Sequence, residues 1–139
     1  MIGQLLELRY REHAPAYFGP IVRRALAVPV HDLDALIDES KERGLLSEDD
    51  AREVLLADLV IRGRRREDGQ EIYVLVEVSY TIYPHDVERA VRRAELLSRV
   101  RPTVPAVAGE GILADARSRA ERHGAWVVLD GRVAVPEGR

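Results

Sequence analysis

The chain has 139 residues, a formal net charge of −3, and 46% hydrophobic against 32% charged residues. That length suits one domain with one core, and that composition excludes wholesale disorder, collagen-like repeats and low-complexity sequence. The absence of cysteine excludes disulfide scaffolds, thiol catalysis and thiolate metal sites together.

No apolar run approaches the roughly 20 residues of a membrane span, and the N-terminus lacks the basic-then-apolar layout of a signal peptide. The expectation is a soluble, cytoplasmic protein with no membrane partner. Lys41 is the only lysine among 21 basic residues. Arginine grips phosphate and carboxylate with a planar fork but cannot usefully lose its proton, so a tunable lysine is nearly unavailable to this chain. The acidic balance argues against a surface that grips nucleic acid throughout and leaves room for a local basic groove.

Residues 1–17 carry Ile2, Leu5, Leu6 and Tyr10 at helical spacing and predict an amphipathic helix, broken by Pro15 and Gly19-Pro20. Ala25 to Val30 predicts a short strand that Pro29 confines to an edge or a strand end. Leu33, Leu36 and Ile37 place a helix over Asp32–Arg43, closed by Gly44. Ser47 before Glu48, Asp49 and Asp50 opens a second short helix to about Leu55. Leu56–Arg64 and Glu71–Tyr80 are β-rich runs around Asp68-Gly69, an antiparallel hairpin.

Pro84 opens a long helix to about Val100, with Val87, Ala90, Val91, Ala94 and Leu97 on one face. Thr103–Ala108 then predicts a strand, Gly109-Glu110-Gly111 a turn, and Ile112–His123 a helix ended by Gly124. Trp126–Leu129 predicts a buried strand, Asp130-Gly131 a tight turn and Arg132–Val135 a last edge strand. A hairpin feeding helix–strand–helix–strand units implies an α/β mixed sheet with helices on both faces.

The third of these strands carries the most chemical information. Alternation puts Ile72, Val74, Val76 and Val78 on one face and Tyr73, Leu75, Glu77 and Ser79 on the other. A strand this apolar is central, which brings Glu77 near the interior, where a carboxylate must be neutral, paired with a cation or bound to metal. Asp58 stands at the start of the preceding strand, and counting from the Asp68-Gly69 turn lets the two acids converge. Such a pair suits Mg²⁺ or Mn²⁺ or accepts arginine from a nearby helix.

Arg89 and Arg93, four residues apart on the next helix, supply that arginine. Together with Arg92 they pair with Glu88 and Glu95 along the helix or neutralise Asp58 and Glu77 directly. His13, His31, His85 and His123 show no metal-ligand spacing, and Trp126 is read as core. The tip Arg62-Gly63-Arg64-Arg65-Arg66 either tracks phosphates or is a solvated hairpin end diluted by Glu67, Asp68 and Glu71.

The order helix–strand–hairpin–helix–strand, with Asp58 on one hairpin strand and Glu77-Val78-Ser79 on the next, resembles the PD-(D/E)XK nuclease superfamily. More closely, Glu7-Leu8-Arg9-Tyr10-Arg11 with Tyr17-Phe18-Gly19, Ala57-Asp58-Leu59-Val60, Val76-Glu77-Val78-Ser79, and Asp86 through Arg89-Ala90 and Arg93-Ala94 resemble an uncharacterised bacterial family of nuclease-fold domains. Its members are often carried behind an N-terminal coiled coil. The resemblance runs from residue 1 to about residue 130.

It implies a single domain over 1–139 with a restriction-endonuclease-like mixed sheet, and DNA phosphodiester hydrolysis as the activity. Asp58 and Glu77 match the metal-binding acids for Mg²⁺ or Mn²⁺, and Glu7 matches an extra acid on the first helix. Ser79 falls where the motif has lysine, and a hydroxyl cannot repeat an ammonium's electrostatic role. Arg89 or Arg93 would then replace that lysine. The alternative is a catalytically inactive binding or assembly module with an arginine–carboxylate network in the old site. The expected partners are DNA and a second copy of the chain or a coiled-coil subunit.

Overall fold

A computed structural model describes residues 2–129 and 132–134. Its core is a six-stranded mixed sheet in the order β1-β2-β3-β5-β7-β8, with a separate two-stranded β4-β6 pair. The first strands are β1 (Val22–Ala27), β2 (Leu59–Arg65) and β3 (Glu71–Val78), and β1-β2 and β2-β3 are both antiparallel. The strands β5 (Thr103–Gly109) and β7 (Trp126–Leu129) then run parallel to β3, and β8 (Arg132–Ala134) closes the far edge antiparallel to β7. The α/β architecture read from the periodicity is therefore the one observed.

One face is covered by α1 (Ile2–Glu12) and α2 (Ala14–Phe18). Leu6, Tyr10, Ala14 and Phe18 pack there on Ile61, Ile72, Val74, Val76 and Val128. The opposite face carries α3 (Val30–Glu42), α4 (Glu48–Leu55), α5 (Pro84–Ser98) and α6 (Ala114–His123). There Ile37, Val54 and Leu97 meet Val60, Tyr73 and Leu75, while Val87, Ala90 and Ala116 meet Val107 and Val127. β3 alternates between the two cores, which is why its run of apolar residues is nearly unbroken. No helix among the described residues is long and apolar enough to cross a membrane.

Several boundaries differ from expectation for local physical reasons. The first helix is two, split at His13 (φ −121°, ψ 37°). Pro15 has no N–H for the carbonyl one turn back, so a continuous helix would leave that acceptor bare. β1 begins at Val22, three residues before the expected start, and Pro29 sits outside it as the residue capping α3. Gly109-Glu110-Gly111 is more than a turn. Gly109 ends β5, and Gly111-Ile112 form β6, paired in parallel with β4 (Thr81–Ile82).

The helix expected from Ile112 begins at Ala114, because Ile112 pairs with Ile82 in β6, and β2 begins at Leu59 and not at Leu56, which caps α4. Ser47 accepts a hydrogen bond from Asp50 N at 3.1 Å and starts α4, Gly69 turns the hairpin at φ 74°, and Gly124 closes α6 at φ 68°. The expected Asp130-Gly131 turn and Val135 lie outside the described residues.

Candidate functional site

The hairpin register decides where the two acids meet. Leu59 pairs with Val76 and Arg64 with Glu71; one further step opposes Asp58 to Glu77, and residues directly opposite in an antiparallel pair share a face. That face is the one under α5. The two acids are also tied through the backbone. Asp58 N–H donates to Glu77 Oε2 at 3.3 Å, and Val78 N–H donates to Asp58 Oδ2 at 2.9 Å. Asp58 is half-buried, just before β2 begins, and Glu77 is 1% exposed.

An ionised Glu77 at that depth needs compensation, and α5 supplies it. Arg93 donates from Nη1 to Glu77 Oε1 at 3.0 Å, and Arg89 from Nε to the same oxygen at 3.3 Å. Arg93, itself 7% exposed, also donates from Nε to Glu53 Oε2 at 2.8 Å and from Nη1 to the Leu56 carbonyl at 3.2 Å. Arg92 joins the same Glu53 oxygen at 2.8 Å. Asp86 accepts from Arg89 Nη2 at 2.5 Å through one oxygen and from Tyr83 N–H at 2.8 Å through the other, so it both anchors Arg89 and caps α5.

Both oxygens of Glu77 are thus occupied by this chain's own donors. On Asp58, Oδ1 has no hydrogen-bond partner among the described residues.

The acids differ in what surrounds them. Burial, then the charge of Asp58, raises the Glu77 carboxyl above its ordinary range, and these outweigh the opposing pull of Arg93. Burial also raises Asp58, against the Val78 hydrogen bond and the charges of Arg89 and Arg93. Glu7, on α1, is raised by burial and by Asp58, with Arg11 opposing. Glu53 moves the other way, lowered by its hydrogen bonds to Arg92 and Arg93. For Arg93, burial favours proton loss, but Glu53 and Glu77 more than offset it and hold the guanidinium charged.

The fold brings Glu7, Asp58, Glu77, Arg89 and Arg93 into one electrostatic neighbourhood. Ser79 is adjacent in the chain but turned away. Its hydroxyl donates to the Thr81 carbonyl at 2.7 Å, inside the β3–β4 bend. Pairing of Arg92 and Arg93 with Glu88 or Glu95 does not occur; Arg92 and Arg93 reach Glu53, and Glu88 pairs with Arg119.

Sequence reasoning missed three members. Glu53 reads as a solvated helix acid and is brought in by packing across 40 residues. Asp86 had a local signal, an acid three residues before Arg89 in the first turn of a helix. Arg11 reaches the Asp58 carbonyl from α1 at 3.3 Å.

As arranged, these donors do not fit a hard divalent cation. Mg²⁺ demands near-ideal octahedral oxygen ligation, whereas Glu77 Oε1 already holds two guanidinium contacts and Oε2 an N–H. Among the described residues no group of three or more His, Asp or Glu side chains could hold a metal ion. No family model, curated protein or solved structure matches the chain.

Proposed function

We propose that this chain is a PD-(D/E)XK-like domain whose carboxylate pocket is closed by arginine, and that it serves as a binding or assembly module instead of a hydrolase. The observation that carries the reading is the occupancy of Glu77: Arg89 and Arg93 share Oε1 and Asp58 N–H takes Oε2. Two supporting features lie on either side of it. Ser79, where the motif has lysine, spends its hydroxyl on Thr81, and Arg93 is committed to Glu53 and Leu56 as well as Glu77. A guanidinium fixed by three such contacts has no freedom to assist a reacting phosphate.

A second reading is favoured by one specific observation. Asp58 Oδ1 is free among the described residues, and Glu7, Asp58 and Glu77 all hold protons more tightly than ordinary carboxylates. Under that reading Asp58 and Glu77, released from Arg89, would hold Mg²⁺ or Mn²⁺, and the domain would be a DNA phosphodiesterase using Glu7, Asp58, Glu77 and one arginine.

Thermal melts with and without Mg²⁺ or Mn²⁺, on the wild type and on Asp58→Ala, separate the two. A ligand at about 100 times its Kd stabilises by about 2.7 kcal/mol. The module reading expects no metal-dependent shift in either protein and no cleavage of single-stranded or duplex DNA with Mn²⁺. A shift lost in Asp58→Ala, together with Mn²⁺-dependent cleavage, would establish the hydrolase.

A further inference from the structure

At the opposite end of the same sheet face, charge is arranged in the reverse manner. Arg24, Leu26, Arg62, Gly63, Arg64 and Glu71 line an open concavity of about 500 Å³ on the β1–β2 ladder. Arg23 pairs directly across from Arg64, so like charges stand opposite each other, an unfavourable cross-strand arrangement. Arg23 and Arg24 are exposed and form no ion pair or hydrogen bond among the described residues. Glu71, the one acid lining the concavity, reaches Arg62 only at 3.9 Å with both side chains about half exposed.

The backbone is specialised at this point as well. The β1–β2 register slips between Arg23 and Leu26, so that Arg24 and Ala25 both oppose Gly63. Arg24 takes φ 56° and is the only non-glycine residue with positive φ among those described. A bulge of this kind ordinarily places glycine in that left-handed position, because a side chain there is strained. Gly63 is what lets β1 close on β2: a Cβ there would lie 2.6 Å from Val22 Cγ2 and 2.8 Å from the Arg23 carbonyl oxygen. Bulges re-aim side chains, and strained non-glycine residues gather where a surface is used. Here the device turns an unpaired guanidinium toward two others.

We infer that this concavity binds the phosphodiester backbone of a nucleic acid through Arg24, Arg62 and Arg64. Guanidinium forks match phosphate geometry, and no aromatic side chain lines the concavity, so nothing there stacks a base. Contacts made only to phosphate position a chain without reading its sequence. The interaction is accordingly sequence-independent and salt-sensitive. It goes beyond the reading of the Glu77 pocket and uses none of its residues, so either can fail alone.

The test is fluorescence anisotropy of short labelled single-stranded and duplex oligonucleotides across a salt series, using the full chain. The wild type binds at least one form, with affinity falling linearly in log salt. Arg62→Gln with Arg64→Gln weakens binding roughly tenfold at low salt and flattens the slope by about 0.7 per arginine on a single strand or 0.9 on a duplex. Arg24→Gly separates folding from binding: glycine adopts the left-handed backbone freely, so this variant melts at a higher temperature yet binds more weakly. Preference for either oligonucleotide form supports the inference and identifies the source of the phosphates. It is overturned by three results: no binding to either form, equal losses from Arg117→Gln with Arg122→Gln on α6, or polyglutamate competing as well as unlabelled nucleic acid.

Discussion

The two ends of the β1–β2–β3 face treat arginine in opposite ways. Under α5, Arg93 is buried and all its described contacts are internal, to Glu53, Leu56 and Glu77. On the β1–β2 concavity, Arg23 and Arg24 are exposed and unpaired among the described residues, and Arg24 stands in a strained conformation. A buried charge paired within the chain holds a structure together; an exposed one with no partner in the chain is open to a ligand. The same residue type is thus structural at one end and recognitional at the other, and the difference lies in burial and pairing.

The sharpest way to break this comparison is to remove buried charge. Glu77→Ala or Arg93→Ala leaves the opposite charge buried with fewer partners, which typically costs about 3–5 kcal/mol; urea unfolding should show the wild type well above both variants. By contrast Arg62→Gln, at an exposed position, should stay within about 0.5 kcal/mol of the wild type. Equal effects at the two ends would erase the distinction.

Next in size is Gly63→Ala. Its Cβ would meet both the Val22 side chain and the Arg23 carbonyl oxygen, and backbone cannot yield cheaply. A loss of about 1–3 kcal/mol is expected from overpacking, with oligonucleotide binding reduced as β1 is displaced. Ser79→Ala is smaller still, removing one hydroxyl bond to Thr81 worth about 1 kcal/mol. A much larger loss in urea unfolding would mean that Ser79 does more than hold the β3–β4 bend.

The smallest effect is in pH, and its sign is informative. Because burial raises the folded-state affinity of Glu77 for a proton, its contribution favours folding fully below its unfolded value near 4.5 and is lost as pH rises through the higher folded value. Glu53, held low by arginine, contributes in the opposite sense, its stabilisation being lost as pH falls. The stability of the wild type relative to Glu77→Gln should therefore rise as pH drops from neutral toward 4.5. Relative loss over that window, followed by urea midpoints, would mean that the arginines outweigh burial.

Much of this architecture is legible in local pattern. The hairpin, its Asp68-Gly69 turn, the Pro84 helix and the alternation of β3 all follow from turn chemistry and periodicity, and they suffice to bring Asp58 and Glu77 together. What is not legible depends on distant packing. Arg23-Arg24 has no strand character by itself; β1 extends over it because Gly63, some 40 residues on, permits close pairing. Glu53 becomes part of the pocket only through the docking of α4 on α5. The β4–β6 pair joins two dipeptides about 30 residues apart, too short for any periodic signal.

The central claim is that arginine, and not a cation, balances Glu77. A double-mutant cycle of Glu77→Gln and Arg93→Gln, measured by urea unfolding with and without Mn²⁺, tests it most directly. Residues in one ion-pair network couple by about 0.5–3 kcal/mol, and the account predicts a coupling at the upper end of that range, unchanged by the metal. A coupling near zero, or one that disappears when Mn²⁺ is added, would contradict it.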